Sequence, residues 1–369
     1  MQNGSNRRTH ARRLVVSAAA LALGGLHGGC TGPLIEPPLG ACAQPLLVDD
    51  HLELARRYAP WILNEVHATK GRQDLPTRAD FDGNLRGDDD WENLPRFALP
   101  PVVYYALVES ETHWFLTYHL FHPRDWSCID LGLHMTHEND GENLQVVVEK
   151  KRGRVVLLFV QAHYRGGVYA NADSGFAAGS EQIRGELLLV DEAGRPSSSG
   201  AHAVVYVESC GHGIQGLADR RDDVALDDDG RARFAGHGLV LRPAAPGESV
   251  AEPPIDAARP LPYALASTIE TFWAGLVDGS LRGEGGLFDG SLRLVTPELT
   301  VDVPRYYEAD RFSGPFGPDR GISPLAVDFR FGEGEAGALL FDPARRYARC
   351  LGVPQPWSTR YVGFPFVER

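Results

Sequence analysis

Between residues 140 and 148 polar and apolar positions alternate with a period of two. In a strand, Asp140, Glu142, Leu144, Val146 and Val148 share one face, and Gly141, Asn143, Gln145, Val147 and Glu149 share the other. The first face is apolar beyond Glu142 and is expected to be buried; the second is mostly polar. The runs 144–149 and 155–160 flank Lys150-Lys151-Arg152-Gly153-Arg154, which predicts a β-hairpin. Aromatic and β-branched residues at 102–107 and 114–121 predict two more strands, and 186–190 and 203–207 two further ones. The stretch 292–303 reads as strand broken at Pro297. Two helices are expected: 52–64, interrupted near Tyr58-Ala59-Pro60-Trp61, and 263–276, amphipathic and closed by Asp278-Gly279. The Asp-rich segment 71–100 and the polar stretch 219–260 read as loops, and roughly the last sixty residues are Gly- and Pro-rich without clear periodicity. Many strands and few helices predict a mainly β fold, an antiparallel β-sandwich with peripheral helices and long loops.

The N-terminus changes the picture of where the chain works. Arg7, Arg8, Arg12 and Arg13 precede the apolar run 14–26 and Gly28-Gly29-Cys30, the pattern of a signal peptide whose cysteine is lipidated. The expected organisation is 1–29 signal peptide, 30–48 tether and 49–369 a single β-sandwich domain with an irregular C-terminal extension. The chain is then exported to the bacterial cell envelope, outer-membrane-anchored or surface-exposed, and meets the membrane through a lipid on Cys30. The formal charge is −13, and residues 1–29 carry four arginines and no acid, so the mature chain is more acidic still. Such a field excludes general attraction to nucleic acid and tolerates divalent cations. Cys42, Cys128, Cys210 and Cys350 remain; an exported context permits two disulfides, in any of three connectivities.

The candidate chemistry lies where the alternating strand begins. Asp140 and Glu142 open the face expected to be buried, and an unpaired carboxylate is costly to bury. A cation, or basic partners such as Arg154 or Arg165, would remove that cost. His137, three residues before Asp140, supplies a third donor, so His137, Asp140 and Glu142 form the expected metal site. Two carboxylates and one imidazole favour Mg²⁺, Ca²⁺ or Mn²⁺; Zn²⁺ fits if further histidines ligate. His134 is near in sequence. His163 follows the second hairpin strand, and if Lys150 pairs with Val155 it falls opposite Glu142. Glu208 and His212 stand at another strand end, in Glu208-Ser209-Cys210-Gly211-His212-Gly213. His134, His163, Glu208 and His212 are therefore expected as ligand-binding groups or supports of the cation ligands. The competing readings are a core histidine at 163 and a turn at 212. The acidic run 80–92 reads as a solvated charge run, because it lacks the spacing and terminal Glu of a calcium loop. No Gly-x-Ser-x-Gly elbow surrounds Ser209.

These residues carry a resemblance. Thr136-His137-Glu138-Asn139-Asp140-Gly141-Glu142 resembles the Gly-His-Arg-His-Asp-Trp-Glu of necrosis-inducing secreted proteins of plant pathogens. Glu138 matches the His-Glu-Gly-Asp-Trp-Glu of their vacuolar-protein-sorting sixty-two-like relatives, and Gly141 replaces the Trp. Leu54 to Pro60, Val103-Tyr104-Tyr105, 117–121, Gln161-Ala162-His163, and 202–207 followed by Gly211-His212 resemble other segments of that superfamily in the same order, over about residues 50–215. The resemblance implies a β-sandwich with outer helices, a divalent cation on the His, Asp and Glu, and binding of sphingolipid headgroups. The reading is a surface lipoprotein whose cation site binds a sugar or lipid headgroup. The alternatives are a metal-dependent hydrolase using the same site, with catalytic residues unknown, and a structural envelope protein without a site.

Overall fold

Proline 60 decides the first element. The residue before a proline is pushed out of the α region, so the expected helix 52–64 divides into helix α1 (Val48–Tyr58) and strand β1 (Trp61–Glu65). The structure, a computed structural model, describes residues 48–126, 134–162, 165–220, 236–275 and 338–366, with short stretches at 222, 224–226, 230, 232–234, 292–295 and 300–303. Among these, no helix is long and apolar enough to cross a membrane. Cys30 and the tether lie outside the described residues. Cys210 is disulfide-bonded, and Cys350 is a buried thiol outside any disulfide.

The strands that follow are β2 (Val102–Ser110), β3 (His113–Trp126), β4 (His134–Glu149), β5 (Arg154–Ala162), β6 (Arg165–Ala170), β7 (Ile183–Gly185), β8 (His202–Val207), β9 (Ile214–Gly216), β10 (Gly238–Pro243) and β11 (Leu261–Ser267). Together with β1 they build one large sheet in the order β9-β8-β1-β10-β11-β2-β3-β4-β5-β6-β7. The pairs β1/β8, β10/β11, β11/β2 and β6/β7 run parallel, and the others along this path antiparallel. The sheet is therefore mixed, which corrects the expected antiparallel sandwich. It curls like half a barrel: β9, at one end of the strand order, packs against β5 near the other. A Cβ on Gly216 would stand 2.5 Å from the Tyr169 ring, so glycine lets the two ends approach.

Two expectations fail for one physical reason. The segment 263–276 is strand β11 followed by a single π-helical turn, Ile269–Trp273, and β10 occupies part of the expected loop 219–260. Neither β10, with its unbroken apolar run Leu239–Leu241, nor β11, partly buried along most of its length, shows the period-two alternation that marks a strand. The hairpin β4/β5 forms as expected. A bulge between Val147 and Val148 shifts its register, so that Glu149 pairs with Arg154 and Leu144 with Val160. The expected pairing of Lys150 with Val155 does not occur. Leu292–Val295 and Thr300–Val303 form two antiparallel strands on either side of Pro297, and the first pairs with β4.

The concave side of the sheet holds the main core. Leu116, Tyr118 and Leu120 of β3, Leu144, Val146 and Val148 of β4, Val103, Tyr105 and Leu107 of β2, and Val205 and Val207 of β8 meet there, with Ala55 and Tyr58 of α1. The reverse side of β2–β4 is buried as well. The Phe272 ring packs on Tyr104 at 4.6 Å, and Tyr347 stacks on Phe115 at 6.2 Å. Gln145, on the mostly polar face of β4, is fully buried under the segment 338–366. Its amide donates to Thr117 Oγ1 at 2.8 Å and to the Leu339 carbonyl at 2.9 Å, and accepts from the Tyr347 hydroxyl at 2.8 Å.

Candidate metal centre

The concave core ends in charge. Continuing the inward positions of β3 past Leu116, Tyr118 and Leu120 reaches His122; continuing those of β4 back past Leu144 reaches Glu142 and Asp140. His122 and Asp140 are direct cross-strand partners, so both side chains enter the same space. The loop between β8 and β9 adds His212, two residues before the core residue Ile214. Exposure is 0% for His122, 4% for Asp140 and 0% for His212, and one ligand atom from each lies within 4.8 Å of the others.

The partners are specific. His212 Nδ1 lies 2.7 Å from Asp140 Oδ2, and its Nε2 lies 3.3 Å from Oδ1 of Asp74, itself 1% exposed. Asp74 is held by backbone donors, Cys210 N–H at 2.9 Å and His67 N–H at 2.6 Å. The His122 ring stacks on His212 with centroids 3.8 Å apart and planes 9° apart. Neither His122 nitrogen makes a hydrogen bond of ordinary length and angle, although both are buried; the Asp74 backbone is the polar group that favours a proton on the ring. Burial opposes a charge on His212, but the hydrogen bonds and charges of Asp140 and Asp74 outweigh it and raise its pKa to about 10. Burial, then the adjacent His212 and His119, push His122 well below the ordinary imidazole value. The surroundings thus favour a proton on one ring and disfavour it on the other.

The backbone around the cluster is bent to make it. Asn139, Cys210 and His212 are the described non-glycine residues with positive φ, at 58°, 75° and 55°. Such conformations store strain and concentrate at functional sites. Gly213 follows for a steric reason: a Cβ there would stand 2.8 Å from Glu208 Oε1 and 3.1 Å from the Ala162 Cβ.

The donors fit a cation. His122, Asp140 and His212 each offer one ligand atom to the cluster. With Nδ1 on a metal, Nε2–H of His212 donates to Asp74, the carboxylate–histidine arrangement that fixes tautomer and orientation at metal sites. A cation there gives the idle His122 nitrogen a partner and offsets two buried carboxylates.

The sequence-predicted residues divide accordingly. Asp140 and His212 meet. Glu142, 2% exposed, pairs across from Leu120 on the same face but stands outside the three-residue cluster. Glu208 is half-buried and accepts from Gln215 Nε2 at 3.1 Å. Arg154, a candidate partner for Asp140 or Glu142, pairs with Asp173 instead. His134 and His137 lie on β4, where their backbones pair with Val295 and Leu292; their side chains, and all of His163, lie outside the described residues. Gln161 is what β5 brings toward the site strand, its Oε1 accepting from Asn143 Nδ2 at 3.3 Å. His122 and Asp74 were not singled out from the sequence. For His122 a signal exists, the inward alternation 116-118-120-122, which runs one residue past the expected strand end. Asp74 sits in a one-turn 3₁₀ helix, Gly71–Asp74, with no pattern to mark it.

Fold and cluster together define a mainly β protein with a curled mixed sheet and a buried His–Asp cluster of a kind that could hold a metal ion. No protein-family profile matches the chain, and no curated protein sequence matches it. Among solved structures it is similar to necrosis-inducing toxin-fold proteins. "Toxin fold for microbial attack and plant defense" matches with 17% identity over 50% of this chain and 77% of the other, at a TM-score of 0.28. "NLPPya in complex with glucosamine" matches with 18% identity over 50% and 73%, at 0.29. Necrosis and Ethylene inducing Protein 2, from the causal agent of cocoa's Witches Broom disease, matches with 14% identity over 50% and 72%, at 0.27.

Proposed function

We propose that this protein is an exported cell-envelope lipoprotein whose interior cluster of His122, Asp140 and His212 holds one divalent cation. The cation organises a surface that binds a sugar or lipid headgroup. The observation that carries the reading is His122, a fully buried imidazole with no hydrogen bond of ordinary geometry at either nitrogen, set directly across from Asp140 and stacked on His212. Two imidazoles and a carboxylate shift the preferred ion from Mg²⁺ or Ca²⁺ toward Zn²⁺, Mn²⁺ or Fe²⁺. Glu142 and, from the sequence pattern, His137 are the next donors on the same strand. Enclosure favours binding over hydrolysis, because a catalytic metal keeps an open position for water or substrate, whereas these ligands are at most 4% exposed.

The test uses chelator-stripped mature protein titrated with Zn²⁺, Mn²⁺ and Ca²⁺, then offered to vesicles with and without glycosylated headgroup lipid. One tightly bound equivalent of a transition metal and metal-dependent binding to the glycosylated vesicles support the reading. Metal binding with turnover of phosphoesters or glycosides would favour the hydrolase, and no metal binding the structural envelope protein. The anchor is tested separately: Cys30→Ser should release the protein from the membrane fraction, and unchanged retention would remove Cys30 from the account.

A further inference from the structure

The acidic run expected to be a solvated face is not one. Asp90 opens a one-turn helix, Asp90–Asn93, and is 0% exposed. Both of its carboxylate oxygens are buried without a hydrogen-bond donor, and Oδ1 of Asp89 is buried in the same condition. Asp82 folds back on them, and one oxygen each from Asp82, Asp89 and Asp90 lie within 4.8 Å of one another. Asp82 is held in place: Asn84 Nδ2 and Asn93 Nδ2 donate to its Oδ2 at 2.9 and 2.7 Å, and Asn84 N–H to its Oδ1 at 3.1 Å. Arg86, its side chain 60% exposed, lies 3.1 Å from Asp88 and 4.0 Å from Asp89 Oδ2.

We propose that Asp82, Asp89 and Asp90 form a second cation site, distinct from the histidine cluster, that takes a hard divalent ion of the calcium class. The spacing suits it. Calcium binds oxygens at about 2.3–2.6 Å, so two ligands of one ion stand at most about 5 Å apart. Every donor is a carboxylate oxygen, which selects against soft metals. Asp82 and Asp89 are only half-buried, which leaves room for waters to complete the coordination, while Asp90 supplies two idle oxygens from within. Burial first, then Glu138, Asp82, Asp89 and Asp88, raise the Asp90 carboxyl well above its ordinary value, a penalty that a bound cation reverses.

The site reaches the functional strand. Trp91 N–H donates to Glu138 at 3.1 Å, and Asn139 Nδ2 donates to the Gly87 carbonyl at 2.9 Å. Glu138 and Asn139 immediately precede Asp140, so an ion that sets the loop 82–90 also sets the backbone that aims the Asp140 carboxylate.

The experiment is thermal unfolding of the chelator-treated mature protein against CaCl₂. The melting temperature should rise saturably, by roughly 5 °C at a hundredfold excess over the dissociation constant. Asp90→Asn should abolish the rise while melting no lower than the wild type in chelator, since it removes a buried charge. His122→Ala should keep the rise, which separates this site from the histidine cluster. A wild type indifferent to Ca²⁺, or an Asp90→Asn protein that responds as the wild type does, overturns the proposal. Should Asp90→Asn fail to fold, Asp82→Asn and Asp89→Asn carry the same expectation, and a full Ca²⁺ response in both overturns it equally.

Discussion

His122 and His212 are stacked rings with opposite electrostatic surroundings. His212 has a carboxylate at each nitrogen, which favours its charged form; His122 has none, and burial disfavours a charge on it. On the proposed reading, a metal bound here would displace the proton at Nδ1 of His212. Asp74 is the lever in that exchange, because it orients His212 without joining the cluster. Asp74→Asn keeps the shape and removes the charge, and should weaken metal affinity about 10- to 100-fold, the usual effect of losing such a support. A titration showing unchanged affinity would remove Asp74 from the site. At this scale the sequence disclosed two of the three cluster residues. Asp140 was legible because a carboxylate beginning a buried face demands a partner, and His212 because it sits at a strand end among glycines. Asp74 was not, since its role depends on backbone donors from residues 67 and 210, which only the fold brings to it.

Among the elements, the β4/β5 hairpin was legible because its turn is local and its apolar runs are continuous. Its register was not: a bulge at Val147/Val148 shifts every later pair by one residue, and nothing in the alternation marks it. Segment 263–276 was misread because apolar spacing alone does not separate a buried strand with a tight turn from a short helix. The mostly polar face of β4 is buried as well, and Gln145 explains how it survives burial, by donating both amide hydrogens to Thr117 and Leu339 and accepting from Tyr347. Gln145→Leu removes the partner of all three groups. It should destabilise the protein by at least about 2 kcal/mol, since each buried group left unmet costs about 1–3 kcal/mol. A denaturant midpoint within error of the wild type would show that the segment 338–366 does not seal this face.

For the whole molecule, strand content was legible and topology was not. Parallel pairs such as β1/β8 join residues more than a hundred positions apart, and no local pattern encodes them. The enclosed interior has a consequence for acid stability. Burial lowers the pKa of His113 from 6.5 to about 4, with Lys150 adding to the effect, and that of His119 to about 3. Below pH 6.5 the unfolded chain takes up protons that these folded histidines refuse, so stability falls as pH drops toward 4. His113 accounts for about 3 kcal/mol of that loss at about 1.4 kcal/mol per unit, and His113→Gln should flatten the decline; an equally steep fall in the variant would contradict this assignment. The account rests most heavily on a cation at the end of the concave core. The most direct measurement is calorimetric titration of Zn²⁺ into the chelator-stripped mature protein and its His122→Ala variant. The account predicts one tight equivalent in the wild type, bound at least tenfold more weakly in the variant. Equal affinity in the two, or no tight equivalent in the wild type, would contradict it.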